Sequence, residues 1–163
     1  MFSIKIDKLD PLLDAISLFT DIVNDKICLK FSLSTFSIIA RYQHPFFFAM
    51  LFIPEPLFAE YFVGRDHILR VSLLSLHTAL ARGQTYSSLR IHLQEEQNII
   101  CLAFEPSRHS PVPMRRKMRF EVPMEDWSAG EIDFDAKSFS IESDLFRDII
   151  TTFYDYNEVD TSN

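Results

Sequence analysis

The chain has 163 residues, 47% of them hydrophobic, with 16 phenylalanines and a formal net charge of −7. This is the makeup of one well-buried globular unit with length left over for a piece of another, and not of a disordered segment. The negative charge disfavours nucleic acid as a direct partner on composition alone. The three glycines, with no GxGxxG or Walker-type sequence, argue against a phosphate-cradling loop.

The amino terminus MFSIKIDKLD is charged from its fifth residue and does not read as a secretory signal. Within it FSIKI alternates apolar and polar residues, which predicts a strand with one buried face. DKLDPLLDAISLFTDIV follows with Leu9, Leu12, Leu13, Ile16, Phe19 and Val23 at helical spacing. An amphipathic helix of about four turns is expected, with Asp7 or Asp10 as its cap and Pro11 in its first turn. Its exposed stripe is Asp10, Asp14, Ser17 and Asp21.

DKICLKFS, TFSIIARY and PFFFAMLFI then read as three strands separated by turn residues. Residues 46–52 are apolar on both faces, which predicts a central strand covered on both sides. The apolar run at 45–53 is nine residues long and is broken by Pro54, Glu55 and Pro56. A membrane-spanning helix needs about 20 apolar residues, so that reading fails. LFAEYFV and HILRVSL are further strands. SLLSLHTALARG predicts a second short helix, capped by Ser72 and closed by Gly83. SSLRIHLQ and NIICLAFE flank the polar turn EEQN as a hairpin, and MRRKMRFEV resumes an extended pattern.

Charge changes sign near residue 120. RRKMR (115–119) is basic, whereas residues 121–163 carry twelve acidic side chains against Lys137 and Arg147. VPMEDWSAGEIDFDA has the makeup of an acidic linker, and KSFSIESDLFRDIITTFYDY reads as a strand and a helix at 144–156 capped by Ser143 or Asp144. FSIESDLFRDIITTFYDY repeats the pattern of FSIKIDKLDPLLDAISLF, so residues 138–163 read as the first strand and helix of a second copy.

This order of elements resembles the DNA sliding clamp superfamily, typified by proliferating cell nuclear antigen. MFSIKIDKLDPLLDAISLFTDIVND resembles its opening strand and helix, FSLSTFSIIARYQHPFFFAMLFIPEPLFAEYFV its meander, and HILRVSLLSLHTAL its helix-bearing crossover. SSLRIHLQEEQNIICLAFE resembles the following hairpin, and MRFEVPMEDWSAGEIDFDAKSFSI the connector region. The resemblance implies an α+β fold of curved antiparallel β-sheet layers with two helices on one face, plus the start of a second copy. The divisions are then a clamp-type domain at 1–122, an acidic connector at 123–137 and a truncated second domain at 138–163.

The resemblance further implies a non-enzymatic nuclear scaffold without a cofactor. It assembles with other clamp subunits around duplex DNA and recruits replication, repair or checkpoint proteins through short hydrophobic peptides. Carried onto this chain, the peptide pocket involves Ala40, His44, Phe46, Trp127, Ala129 and Ile132, and the DNA-facing side offers Lys8, His77 and Arg82. The acidic stripe on the first helix departs from the lysines and arginines that such clamps present to phosphates. It points to a diverged member, such as a subunit of the heterotrimeric DNA-damage checkpoint clamp, or to a stand-alone interaction module that has lost DNA encirclement.

Single residues carry bland readings beside these. His44 also reads as a polar residue at a sheet edge, Trp127 as a plug in the outer sheet, and Arg115, Arg116, Lys117 and Arg119 as a solvated strand edge. The functional reading of that basic strand is a bridge to an acidic surface of this chain or of a neighbour. The five histidines show no HExxH or paired-cysteine spacing, and the acidic residues at 125–135 do not match a calcium loop. Cys28 and Cys101 read as buried free thiols. A small hydrolase is the remaining class, without a nucleophile elbow in its favour.

Overall fold

In the computed structural model, residues 2–23, 25–42 and 47–124 are described, and beyond them Asp144, Asp148 and Thr152, which are helical. The alternation in FSIKI becomes β1 (Phe2–Ile6), with Ile4 and Ile6 buried. Next come α1 (Asp10–Thr20), β2 (Lys26–Phe31), β3 (Thr35–Tyr42) and β4 (Phe47–Pro54). A 3-10 turn at Glu55–Leu57 leads into β5 (Glu60–Val63) and β6 (His67–Ser72), and α2 (Leu73–Arg82) follows directly. The unit ends with β7 (Ser88–Gln94), β8 (Ile99–Glu105) and β9 (Met114–Arg119). Residues 1–124 form one compact unit and 125–163 a second. Among the described residues no helix is long and apolar enough to cross a membrane.

Every strand pairing is antiparallel, in two sheets ordered β5-β1-β7-β8-β9 and β4-β3-β2-β6. The sheets and the helix pair enclose the core. Ile4, Ile27, Phe31, Ile38, Leu89, Leu102 and Phe104 come from the strands, Ile16 and Phe19 from α1, and Leu73, Leu76 and Leu80 from α2. An aromatic seam ties one sheet to the other. Phe2 meets Phe31 edge-on at 5.0 Å, Phe31 stacks on Phe36 at 4.7 Å, Phe36 reaches Phe58 at 6.2 Å, and Phe58 reaches Tyr61 at 5.1 Å. Such pairs contribute about 0.5–1.5 kcal/mol each beyond area burial. The Tyr61 hydroxyl, 2.6 Å from the Ser32 carbonyl oxygen and 2.8 Å from that of Thr35, holds the β2–β3 turn from the other sheet. Burial pushes its pKa up to about 12, helped by the charges of Glu55 and Asp66.

The structure corrects three expectations. The phenylalanine-rich strand is not central: among the described residues β4 is a terminal strand paired only with β3, and its Phe52 is 39% exposed. The strands buried on both faces are β2 and β3, where Cys28 and Ile39 are as inaccessible as Ile27 and Ile38. An apolar run cannot by itself distinguish a doubly covered strand from one whose open edge awaits a partner.

The second correction concerns α1, which has eleven residues, a turn shorter than expected. The chain turns at Asp21 so that Ile22 and Val23, whose amides both bond to the Phe19 carbonyl, are buried together. Its cap position is held by Leu9, which is buried, and no side chain caps it. Neither Asp7 nor Asp10 does so, and Asp10 lies inside the first turn, where its charge still meets the positive helix end. Third, LFAEYFV is not one strand, because the 3-10 turn takes its first residue and β5 begins at Glu60.

In α2 the local signals hold. The Ser72 hydroxyl accepts from the Ser75 amide at 3.2 Å, and Gly83 closes the helix. Its φ of −81° is open to any residue, so the glycine is required by contact instead: a Cβ there would lie 1.9 Å from the Phe104 ring. In the β7–β8 hairpin, the EEQN turn is a 3-10 turn ending on Asn98 at φ 53°, a conformation asparagine tolerates.

Candidate functional site

The helix pair is the first candidate surface. Ser17 of α1 lies 3.2 Å from His77 Nε2 of α2, and Gln84 just beyond α2 reaches Asp10 at the start of α1 at 3.5 Å. These two contacts fix the helices as antiparallel neighbours. The pairing also settles where the expected DNA-facing residues sit. Lys8, exposed before α1, and Arg82, exposed in the last turn of α2, lie at the same end of the pair. His77 is half-buried between the helices and occupied by Ser17, so it does not join them. Asp10 and Asp14 are exposed on α1, which keeps an acidic stripe beside these cations.

A second surface lies on the flank of α2 away from His77. Ser72, Ser75, Ala79 and Arg82 recur there at helical spacing. They face Arg116, Lys117, Met118 and Arg119 of β9 across an open groove of about 630 Å³, with Leu74 and Thr78 at its rim. The strand alternates so that Met114, Arg116 and Met118 are half-buried while Arg115, Lys117 and Arg119 are exposed. Sequence reasoning registered the basic cluster but not the groove. The available signal was Arg116 standing at an apolar position of that alternation.

The third feature is the pair of open edges. β4, with eight residues, and β9, with six, are terminal strands of their sheets and have no second strand partner among the described residues. The other two are short or occupied. β5 has four residues, and β6 is bridged at Arg70 to Glu121. Unpaired backbone along a strand edge is a template for another strand.

On β1, β5, β7 and β8 of the five-stranded sheet, Lys5, Glu60, Arg90 and Glu105 are paired. Arg90 grips Glu60 through two bonds of 2.7 and 3.3 Å, Lys5 lies 3.4 Å from Glu105, and the Ser88 hydroxyl donates to Glu105 at 2.7 Å. The Arg90 bond holds the Glu60 carboxyl below the usual range, and the Ser88 bond does so for Glu105, with Lys5 and Arg90 assisting. Lys26 does the same for Glu121. Paired-carboxylate catalysis needs one acid held protonated, and these three are all held ionised. Cys28 and Cys101 are free, the first fully buried and the second half-buried. Of the residues expected in a peptide pocket, Ala40 lies in β3 opposite Ala49 and is fully buried. His44, Phe46, Trp127, Ala129 and Ile132 lie outside the described residues.

No protein-family model matches the chain, and no curated protein matches its sequence. Among solved structures it is similar to PCNA from Thermococcus kodakaraensis, with a TM-score of 0.65 and 14% identity over 85% of this chain. The chain has the sliding-clamp fold. It spans about half the length of that clamp, 52%. The clamp fold accounts for the α+β arrangement of two adjoining helices and two antiparallel sheets. At this identity the likeness speaks to the fold alone, and neither the acidic stripe of α1 nor the basic groove of α2 and β9 follows from it.

Proposed function

We propose that this chain is a non-enzymatic, clamp-type scaffold that assembles edge to edge with other clamp subunits and recruits client proteins to duplex DNA in the nucleus. The reading is supported above all by one observation. A sliding-clamp fold leaves β4 and β9, a terminal strand of each sheet, without a second strand partner among the described residues. Pairing each with a neighbour's edge would cover backbone that is otherwise a hazard.

The test is size in solution, for the chain alone and co-expressed with clamp subunits from the same cell, followed by duplex binding across a salt series. Assembly with those subunits and salt-dependent retention on closed circular duplex are expected. A strictly monomeric chain in the presence of its candidate partners overturns the reading.

The exposed Asp10 and Asp14 of α1 favour a second reading, an interaction module that keeps the clamp fold without encircling DNA. Assembly without any duplex retention at low salt would select it.

A further inference from the structure

We propose that the groove between α2 and β9 is a docking site for an acidic amphipathic helix carried by a partner chain. The inference deepens the assembly reading by naming the chemistry of one partner, and rests on it only in taking this edge as a meeting surface.

Four cations line the groove, Arg82 from α2 and Arg116, Lys117 and Arg119 from β9, and no carboxylate does. None of the four forms an ion pair among the described residues, whereas Lys5, Lys26, Arg65, Arg70 and Arg90 each have a carboxylate within 4.0 Å; Lys8, Lys30, Arg108 and Arg115 are unpaired too, and what sets the groove apart is that four such cations converge on it. The Nε of Arg116, like that of Arg70 outside the groove, is buried with no hydrogen-bond partner. Charge is not the whole of the surface. Leu74 is 70% exposed at the rim, and Met118 lies in the wall. An occupant that presents apolar side chains along one face and carboxylates along the next matches both.

A helix fits the dimensions. The groove runs beside α2, whose ten residues span about 15 Å at ~1.5 Å per residue, and a helix would lie against that flank as α1 lies against the other. A second copy's 1–124 unit complements it poorly. Its α1 offers Asp10, already bonded to Gln84, and Asp14, and residues 49–54 of β4 carry no charge. Cations left unpaired in a desolvated interface are costly, so the partner must bring more carboxylates than α1 does. Phosphates would satisfy the cations but leave Leu74 and Met118 without contact, beside a helix whose exposed stripe is acidic.

The experiment uses the full chain and its Arg82→Glu/Lys117→Glu variant. Both positions are exposed, so the variant is expected to melt as the wild type does. The probe is a synthetic leucine- and alanine-based helix of about four turns with glutamates at i, i+4 and i+7, compared with the same peptide carrying glutamines. The glutamate peptide should bind the wild type more tightly at low salt than at high, and about tenfold more tightly than it binds the variant. The glutamine peptide should bind weakly to both.

Equal binding of the glutamate peptide to wild type and variant overturns the proposal. So does a short duplex that competes for the groove and loses affinity in the variant, or self-association that the variant abolishes. Failure of the chain to assemble with clamp subunits while the peptide still binds removes the scaffold reading alone. Assembly that the variant leaves unchanged removes the groove as its partner site.

Discussion

The Ser17 hydroxyl donates to the Leu13 carbonyl at 2.8 Å and therefore accepts at 3.2 Å from His77 Nε2, joining α1 to α2. A hydroxyl has one proton to give. With that proton committed inside α1, the imidazole must carry its own on Nε2. The contact thus fixes a tautomer as well as a helix register.

Nitrogen chemical shifts of His77 should accordingly show the Nε2-protonated tautomer in neutral solution. Ser17→Ala and His77→Ala should each lower stability by about 0.5–1.5 kcal/mol. A double-mutant cycle should return a coupling of at least about 0.5 kcal/mol. A δ-protonated ring, or additive effects, would contradict the arrangement.

Gly83→Ala sets two effects against each other. At φ −81° alanine is conformationally acceptable and would reduce the freedom of the unfolded chain, worth about 0.4–1 kcal/mol in its favour. Its Cβ, however, would sit 1.9 Å from the Phe104 ring, which is buried and held in β8. Overpacking costs about 1–3 kcal/mol, so a net loss in chemical denaturation is expected. Phe104→Leu in the same background should recover part of it.

Cys28 is fully buried, and burial pushes its thiol up to about 12, partly offset by the nearby Arg70 charge. Because the thiolate is the reacting species, labelling of Cys28 at neutral pH should follow global unfolding and slow as stability rises. Modification at the rate of a free peptide thiol in the folded protein would rule this out.

Acid stability has two limbs. His67 is lowered from its ordinary pKa, chiefly by burial, against the opposing charge of Glu95. A depressed folded-state pKa means that its contribution is present above about pH 6.5 and is lost as pH falls through the folded value. Glu60, Glu105 and Glu121 are also depressed, through their bonds to Arg90, Ser88 and Lys26 respectively. Their contribution is present above the ordinary glutamate value of about 4.3 and is lost below it. Denaturation midpoints should fall in two stages on acidification, and His67→Phe should shrink the upper one, to which His92, lowered by burial and by the charges of Arg90 and Arg115, also contributes. A midpoint unchanged between neutral and mildly acid pH would exclude the histidine limb.

What could be read from the sequence was mostly local. FSIKI, the β7–β8 hairpin and the Ser72 cap of α2 follow from alternation and capping within a few residues of one another. The place of β4 was not legible, because strand order is decided by contacts distant in sequence, and an apolar strand reads alike at the centre or the edge. The end of α1 was missed for a similar reason: Ile22 and Val23 leave helical spacing to be buried together. The groove needed α2 and β9, more than thirty residues apart, to be brought side by side. Only the position of Arg116 between Met114 and Met118 hinted at it.

Glu121 closes the compact unit. Its amide and carbonyl pair with those of Arg70 at 2.9 and 2.8 Å, and its carboxylate holds Lys26 at 2.7 Å, so a residue beyond the last strand stitches one sheet to the edge of the other. For protein dissection this sets a sharp limit. A fragment trimmed to residue 124 retains the stitch and should be expressible and resistant to limited proteolysis, whereas one trimmed to residue 119 leaves β6 unfastened and open to digestion.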